Sequence, residues 1–398
     1  MTSKATAGSQ SSLREANRSL VLQTVQRWGG LTQVELVAAT GLSPATVSTI
    51  VRDLLSAGLV DTAVTTRSGR RAQLVTVARR VGLAVGIHVG HRHLRIALGD
   101  FAHEVVAEQS LPLPTDHRVD TTLDRAALLV VDLLERVGAS LDEITGVGVG
   151  VPAPVDSATG LISVRGIMRG WDEVHLGQTL SKRIGRPVFV DNDANLGALA
   201  ESTLGAAKAF RDSVYVRASY GVGAGIVIEG RVHRGFAGTA GEIGHVQVNS
   251  AGAICGCGNR GCLDTVVGAA ALVESLRVNR GPLALRDVIQ LANEGDQGCA
   301  RVVADAGAQI GAVVAGLGQA VNPQIVVVGG ELAETGELLL GPMREAITRR
   351  IPVNQIAPLE VVPAALGGRA EVVGALLLAL QAADVEVRID GEDEVEVG

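Results

Sequence analysis

The chain has 398 residues, 47% hydrophobic and 19% charged, with a net charge of −7 at pH 7. That length admits two or three domains, and that balance excludes global disorder. Aromatics make up only 2% beside 50 glycines, so the core is expected to be Val, Leu, Ile and Ala, which suits buried parallel strands covered by helices.

The N-terminus lacks a secretory pattern, and no apolar run approaches a membrane span. The expectation is a soluble cytoplasmic protein with no membrane partner. The charge is uneven. Residues 1–80 carry ten Lys and Arg against four Asp and Glu, a net +6, which leaves −13 on the remainder. A basic head on an acidic body is the footprint of a protein whose head alone meets a polyanion.

Residues 1–11 are small and polar and are expected to be disordered. Leu20, Val21, Val25 and Trp28 share one face of a helix predicted from Ser12 to Trp28, ended by Gly29-Gly30. Thr32 followed three residues later by Glu35 has the capping-box spacing and opens a second helix, ending at Gly41. Ser43-Pro44 supplies an N-cap and a first helical residue for a third helix, ending at Gly58. The short turn 39–42 makes the second and third helices a helix-turn-helix. Leu59–Thr62 and Ala72–Val77 read as two short strands around the basic turn Arg67-Ser68-Gly69-Arg70-Arg71, a wing.

Residues 12–80 therefore read as a winged helix-turn-helix. The third helix presents the short polar side chains of Ser43, Thr46, Ser48 and Thr49, with Arg52 behind them, to a major groove. Arg67, Arg70 and Arg71 suit a minor groove or phosphates. A small three-helix interaction module with a solvated basic loop is the alternative reading.

Residues 82–100 and 213–230 resemble one another, each a strand, a Gly-containing turn and a strand, followed by a third strand. A repeat at a spacing of about 130 residues predicts a duplicated α/β lobe with a ligand cleft between the copies. The body is assigned to 81–382, with lobes at about 81–194 and 195–382.

Gly146–Val151 is a buried strand leading into a Pro-rich turn, and Pro187–Val190 is a strand ending in Asp191-Asn192-Asp193 before a helix at Leu196–Leu204. Side chains at the carboxyl ends of such strands line the ligand crevice. Asn offers a donor and an acceptor and ionised Asp offers acceptors, so Asn192 and Asp193 can grip adjacent hydroxyls of a sugar. Alternatively, Asp193 only caps the helix.

Three of the four cysteines, Cys255, Cys257 and Cys262, fall within eight residues, and His245 precedes them by ten; the fourth, Cys299, is remote. Three thiolates and one imidazole form a complete tetrahedral set for structural zinc. Buried reduced thiols and a disulfide are the alternatives. Glu242 lies three residues before His245. If one ring nitrogen of His245 bound zinc, the other would face a cleft or a second partner.

Taken together, Gly241-Glu242-Ile243-Gly244-His245, the Cys255-x-Cys257-Gly258-x-x-Gly261-Cys262 run, Asp191-Asn192-Asp193-Ala194-Asn195 and Val327-Val328-Gly329-Gly330 resemble the ROK family of repressors, open reading frames and sugar kinases. The resemblance covers 12 to about 382. It implies an actin-like, hexokinase-type duplicated fold and a structural zinc on His245, Cys255, Cys257 and Cys262. It also implies sugar contacts from Asn192, Asp193, Glu242 and His245, with Asp193 at the position of the kinases' general base.

The departures are informative. Kinases of the family carry Asp-x-Gly-Gly-Thr in the first hairpin; here the stretch is His88-Val89-Gly90-His91-Arg92. Phosphoryl transfer depends on metal and backbone N–H groups around the phosphate. Losing the carboxylate and a glycine opposes it, so no ATP is expected. In the second hairpin Tyr220 stands where Thr is usual. Asp264 replaces the Glu usually found two residues after the last cysteine, on the sugar side.

The resulting expectation is a sugar-responsive, non-enzymatic transcriptional regulator, a repressor of carbohydrate genes. Its partners would be a palindromic operator, a sugar or sugar-phosphate effector, and its own copies in a homodimer or homotetramer. An active ATP-dependent sugar kinase with a DNA-binding head stays open as the alternative. The segment 383–398 is acidic and expected to be disordered.

Overall fold

A computed structural model describes residues 10–67, 69–156, 159–162, 168, 170–171, 174–351 and 358–383. Residues 1–9 and the acidic segment 384–398 lie outside the described residues. Gln10 and Ser11 already belong to the first helix rather than to a disordered start.

The head consists of α1 (Gln10–Trp28), β1 (Leu31–Thr32), α2 (Gln33–Thr40), α3 (Pro44–Ser56), β2 (Val60–Arg67) and β3 (Arg70–Val77). Thr32 and Glu35 exchange the two capping-box hydrogen bonds, and Gly41 ends α2 at φ 70°. Ser43 caps α3, with Pro44 as its first residue. α3 buries Val47, Ile50, Val51 and Leu54, the i, i+3, i+4, i+7 stripe of a core-facing helix. The three strands pair in the order β1-β3-β2. The wing strands are longer than the sequence suggested. They run through the arginines, with Arg67 directly opposite Arg70.

The first lobe holds β4 (Leu83–Val89), β5 (His93–Asp100), β6 (Val105–Pro112), α4 (Val119–Val137), β7 (Ile144–Val151), α5 (Leu176–Ile184), β8 (Val188–Asn192) and α6 (Asp193–Thr203). The second holds β9 (Ser213–Ala218), β10 (Val222–Ile228), β11 (Arg231–His233), α7 (Asp264–Val267), α8 (Ala269–Arg280), α9 (Leu285–Asn293), α10 (Gln297–Val321), β12 (Ile325–Gly329), α11 (Glu337–Arg350), β13 (Glu360–Pro363) and α12 (Ala370–Ala382). The two sheets have the same order, β6-β5-β4-β7-β8 and β11-β10-β9-β12-β13, each with three antiparallel strands followed by two parallel ones. The repeat seen in the sequence is thus a duplicated five-stranded sheet.

The split into lobes at 194/195 does not match the packing. α12, last in the chain, lies against β4 and β7 of the first sheet, and against α6. A Cβ on Gly148 of β7 would fall 1.9 Å from the Ala375 carbonyl oxygen, so the strand accepts α12 only because a glycine stands there. α6, in turn, packs on β9 and β10 of the second sheet. The two lobes are therefore joined by a crossed pair of buried helices.

The expectation that no segment reaches membrane-span length is also corrected. α10 is long and apolar enough to pass that test. It buries Val303, Ala306, Ile310 and Val314 in the core of the second lobe, packed on α11, as a core helix does.

Candidate ligand cleft and metal centre

β8 ends and α6 begins at the cleft between the lobes. Asn192, not Asp193, caps α6: its Oδ1 accepts from the N–H of Ala194 at 2.8 Å and of Asn195 at 3.3 Å. Its Nδ2 donates to the Ala153 carbonyl at 3.0 Å. The amide expected to grip a sugar is thus largely occupied by the fold. Asp193 is left free of the capping role. Its Oδ2 is buried and meets no hydrogen-bond donor, although Arg217 Nε lies 3.3 Å and His88 Nε2 3.6 Å away in ion-pair range. A buried carboxylate oxygen without a donor costs stability unless a ligand supplies one.

Burial opposes ionisation of Asp193, but the Arg217 charge and then the His88 contact outweigh it and hold the carboxyl below its ordinary range. Glu242 behaves oppositely. Burial, then the charges of Asp193 and Asp264, push it up to about 7. Asp264 is pinned to the second hairpin by the Val222 N–H, which donates to its Oδ1 at 2.8 Å. Asp193 and Asp264 therefore lie near enough to Glu242 for their charges to act on it.

Arg217 was missed in the sequence. It is buried in β9 and is surrounded by carboxylates: Asp193, Glu371 with Oε1 at 3.0 Å, and Glu331 at 3.9 Å. Tyr215 also donates to Glu371 at 3.1 Å. A charged residue inside the apolar run 213–218, and Glu371 in the apolar helix 370–382, were the available signals.

In the first hairpin the altered phosphate loop is closed by the Gly90 N–H donating to the His93 carbonyl at 2.8 Å. The His93 ring fills the space beside Gly90, where a Cβ would lie 2.6 Å from its Cε1. Its Nε2 lies 3.2 Å from His88 Nδ1. His91, which the sequence singled out, turns instead towards Tyr220, with ring centroids 5.4 Å apart. Burial holds His91 at about 4 and His93 at about 3, so both rings are neutral at pH 7.

The four candidate metal ligands converge as the spacing implied. Gly241 takes φ 89° and lies so close to β10 that a Cβ would meet the Ala224 carbonyl at 1.8 Å. This fixes the loop bearing Glu242 and the single turn Ile243–His245. The Cys255–Cys262 segment folds back through Cys255 N–H to the Asn259 carbonyl at 2.8 Å. One ligand atom from each of His245, Cys255, Cys257 and Cys262 lies within 4.8 Å of all the others.

Cys257 Sγ and Cys262 Sγ are 3.8 Å apart, and His245 Nδ1 is 3.6 Å from Cys255 Sγ. Two sulfurs each about 2.3 Å from a tetrahedral ion would be separated by about 3.8 Å, so the donor set fits a metal such as zinc. All four cysteines are free thiols, and the cluster is not disulfide-bonded. His245 Nε2 faces Glu242 Oε2 at 3.9 Å, so one ring edge serves the metal cluster and the other the cleft.

On the head, Ser43 and Thr46 bond each other at the start of α3, with Oγ···Oγ1 at 2.8 Å. Thr49 and Arg52 are exposed, while Ser48 is half-buried. Arg70 and Arg71 are exposed, and Arg67 makes a loose pair with Glu35 at 3.7 Å.

The head docks on both lobes. Gln26, buried in α1, donates to the carbonyls of Leu380 and, at 3.0 Å, Ala383 at the end of α12, and accepts from His103 Nε2 at 2.9 Å. Arg27 donates to the Gly230 carbonyl in the second lobe at 2.8 Å.

Comparison with known proteins agrees with this architecture. The ROK family model matches residues 84–382, and the MarR family model matches 15–72. The xylose repressor of Caldicellulosiruptor bescii is 29% identical over 393 residues, covering 94% of this chain and 97% of the relative. The Escherichia coli K12 DNA-binding transcriptional dual regulator NagC is 31% identical over 360 residues, covering 86% and 87%.

Among solved structures, a ROK family transcriptional regulator homologous to the E. coli MLC protein superposes with a TM-score of 0.73 at 27% identity, covering 93% of this chain and 97% of that one. A ROK family glucokinase from Streptomyces griseus, solved with glucose and AMPPNP, gives 0.67 at 27% identity, covering 75% of this chain and all of that one. The kinase match leaves out about the length of the head, whereas the regulator match includes it. The chain belongs to the ROK family, with a MarR-type winged-helix head on its sugar-kinase-like body.

Proposed function

We propose that the protein is a sugar-responsive transcriptional repressor of carbohydrate genes, working in the cytoplasm, with a kinase-like body that senses a sugar and does not phosphorylate it. The observation that carries this reading is Asp193. It is ionised, buried and short of a hydrogen-bond donor, in a cleft whose phosphate loop is filled by the His93 ring. A sugar hydroxyl would be the donor that Asp193 Oδ2 lacks, with Glu242, His245 and Asp264 binding neighbouring hydroxyls. The names of the repressor relatives support the same class.

His245, Cys255, Cys257 and Cys262 would hold a structural zinc that fixes the loop carrying Glu242 and performs no chemistry. Ser43, Thr46, Ser48, Thr49 and Arg52 would face the major groove, with Arg67, Arg70 and Arg71 on the phosphates or the minor groove. A palindromic operator would be met by a homodimer or homotetramer.

A sugar acts only by binding one arrangement of the lobes better than the other. The test is a gel-shift titration with monosaccharides and their phosphates. Failure of every one to alter DNA affinity would remove the sensing half of the reading. In a coupled ADP-release assay, turnover abolished by Asp193→Asn would favour the kinase instead.

A further inference from the structure

We propose that Arg217 and Glu371 are positioning residues that connect the sugar cleft to the DNA-binding head through α12. This rests on the reading that a sugar binds at Asp193. Arg217 stands on the second lobe's sheet and reaches two carboxylates at once, Asp193 at 3.3 Å and Glu371 at 3.0 Å. All three side chains are nearly sealed from solvent. In so dry a site a guanidinium cannot leave one carboxylate without a replacement partner.

Glu371 is in the first turn of α12, and the carbonyls that Gln26 grips, Leu380 and Ala383, are at its other end. The helix has 13 residues and is about 20 Å long. Its backbone lies directly on Gly148, so a displacement of its first turn is carried along the helix to its far end. A hydroxyl that donates to Asp193 weakens the hold of Arg217 on that carboxylate and shifts the guanidinium towards its other partners, Glu371 and Glu331. α12 then changes its seat between the lobes. Gln26 passes the shift to α1, while Arg27, held on the Gly230 carbonyl of the other lobe, makes the head sensitive to the relative position of the two lobes.

The experiment uses the full-length chain and a labelled duplex selected by the wild-type protein from a random pool. Operator affinity is read by fluorescence anisotropy. Binding of D-xylose, D-glucose and N-acetyl-D-glucosamine is read by calorimetry. Glu371→Gln should alter DNA affinity by at least about fivefold without any sugar, the lower end of allosteric coupling. Gln26→Ala, remote from the cleft, should bind sugar like the wild type, which reports a folded body, yet lose the sugar-induced change in DNA affinity.

That separation of sugar affinity from DNA response is not produced by a merely structural role. If both variants keep wild-type DNA affinity and the full sugar response, the route through α12 is wrong and the sensor reading stands. If no sugar binds the wild type but Glu371→Gln still shifts DNA affinity, the route stands and the sugar reading falls.

Discussion

Arg234 Nε donates to Asp191 Oδ2 across 2.7 Å, and the pair joins the second lobe to the first. Asp191 is the next-to-last residue of β8 in the first lobe's sheet, while Arg234 follows β11 of the second. The other oxygen of Asp191 accepts from the Asn192 N–H and from Asn195 Nδ2. Asp191 is thus rigidly held, and Arg234 is the movable half.

Arg234→Ala should therefore loosen the lobes more than it destabilises the fold. Arg234 is about a third exposed, so solvent screening limits the stability cost to about 1 kcal/mol. Urea unfolding should show that small loss, and calorimetry should show altered sugar affinity. Unchanged affinity for every sugar the wild type binds would count against the pair as a lobe tie.

Removing the zinc proposed for His245, Cys255, Cys257 and Cys262 should unfold the loop that carries Glu242. Cys257→Ser, or a chelator, should lower both thermal stability and bound zinc, measured by melting and elemental analysis, because a ligand set of this kind couples binding to folding. A variant without metal but with full stability would end the structural role.

Arg70 and Arg71 project from the exposed end of the wing. Arg70→Ala should weaken binding across DNA sequences and reduce the salt dependence of the logarithm of affinity by about one unit, as loss of one phosphate contact does. A slope equal to that of the wild type would remove Arg70 from the phosphate contacts.

The protein should lose stability in mild acid. His103, at the junction of head and body, is held at about 4 by burial, against an ordinary 6.5, even though its bond to the Gln26 carbonyl pulls the other way. The unfolded chain takes up this proton near pH 6.5, while the folded chain waits until about 4. Between those values the unfolded state binds more protons, so stability falls as pH falls, by about 1.4 kcal/mol per pH unit for each such residue. His91 and His93 add to the slope in the same direction. His103→Asn, which tolerates the positive φ of 64° at this position, should reduce the slope measured by denaturation by about one proton. An unaltered slope would contradict the buried, neutral state.

The local signals were legible because their physics is local. Thr32 with Glu35, Ser43 with Pro44, and Gly41 each fix a helix end within a few residues of chain. The cysteine spacing specifies a donor set before any fold exists. The duplication was legible too, since both copies repeat the same order of strands and turns. Other features depend on residues distant in the chain. Asn192 proved to be a helix cap because the Ala194 and Asn195 N–H groups and the Ala153 carbonyl surround it. His93 rather than His91 filled the phosphate loop, because the hairpin turn closes between Gly90 and His93.

The sequence by itself determined the two-part architecture, the basic winged head, the candidate metal-ligand set and the departure from the kinases' phosphate-loop pattern. Each follows from residue type at short spacing. Only the tertiary structure decided that Arg217, 154 residues from Glu371, would bind it and Asp193 together, and that the last helix would return to the first sheet to meet Gln26. Such contacts arise from the packing of whole layers. Sequence shows their residues only as isolated charges in apolar segments, and burial alone determines which charge each must find.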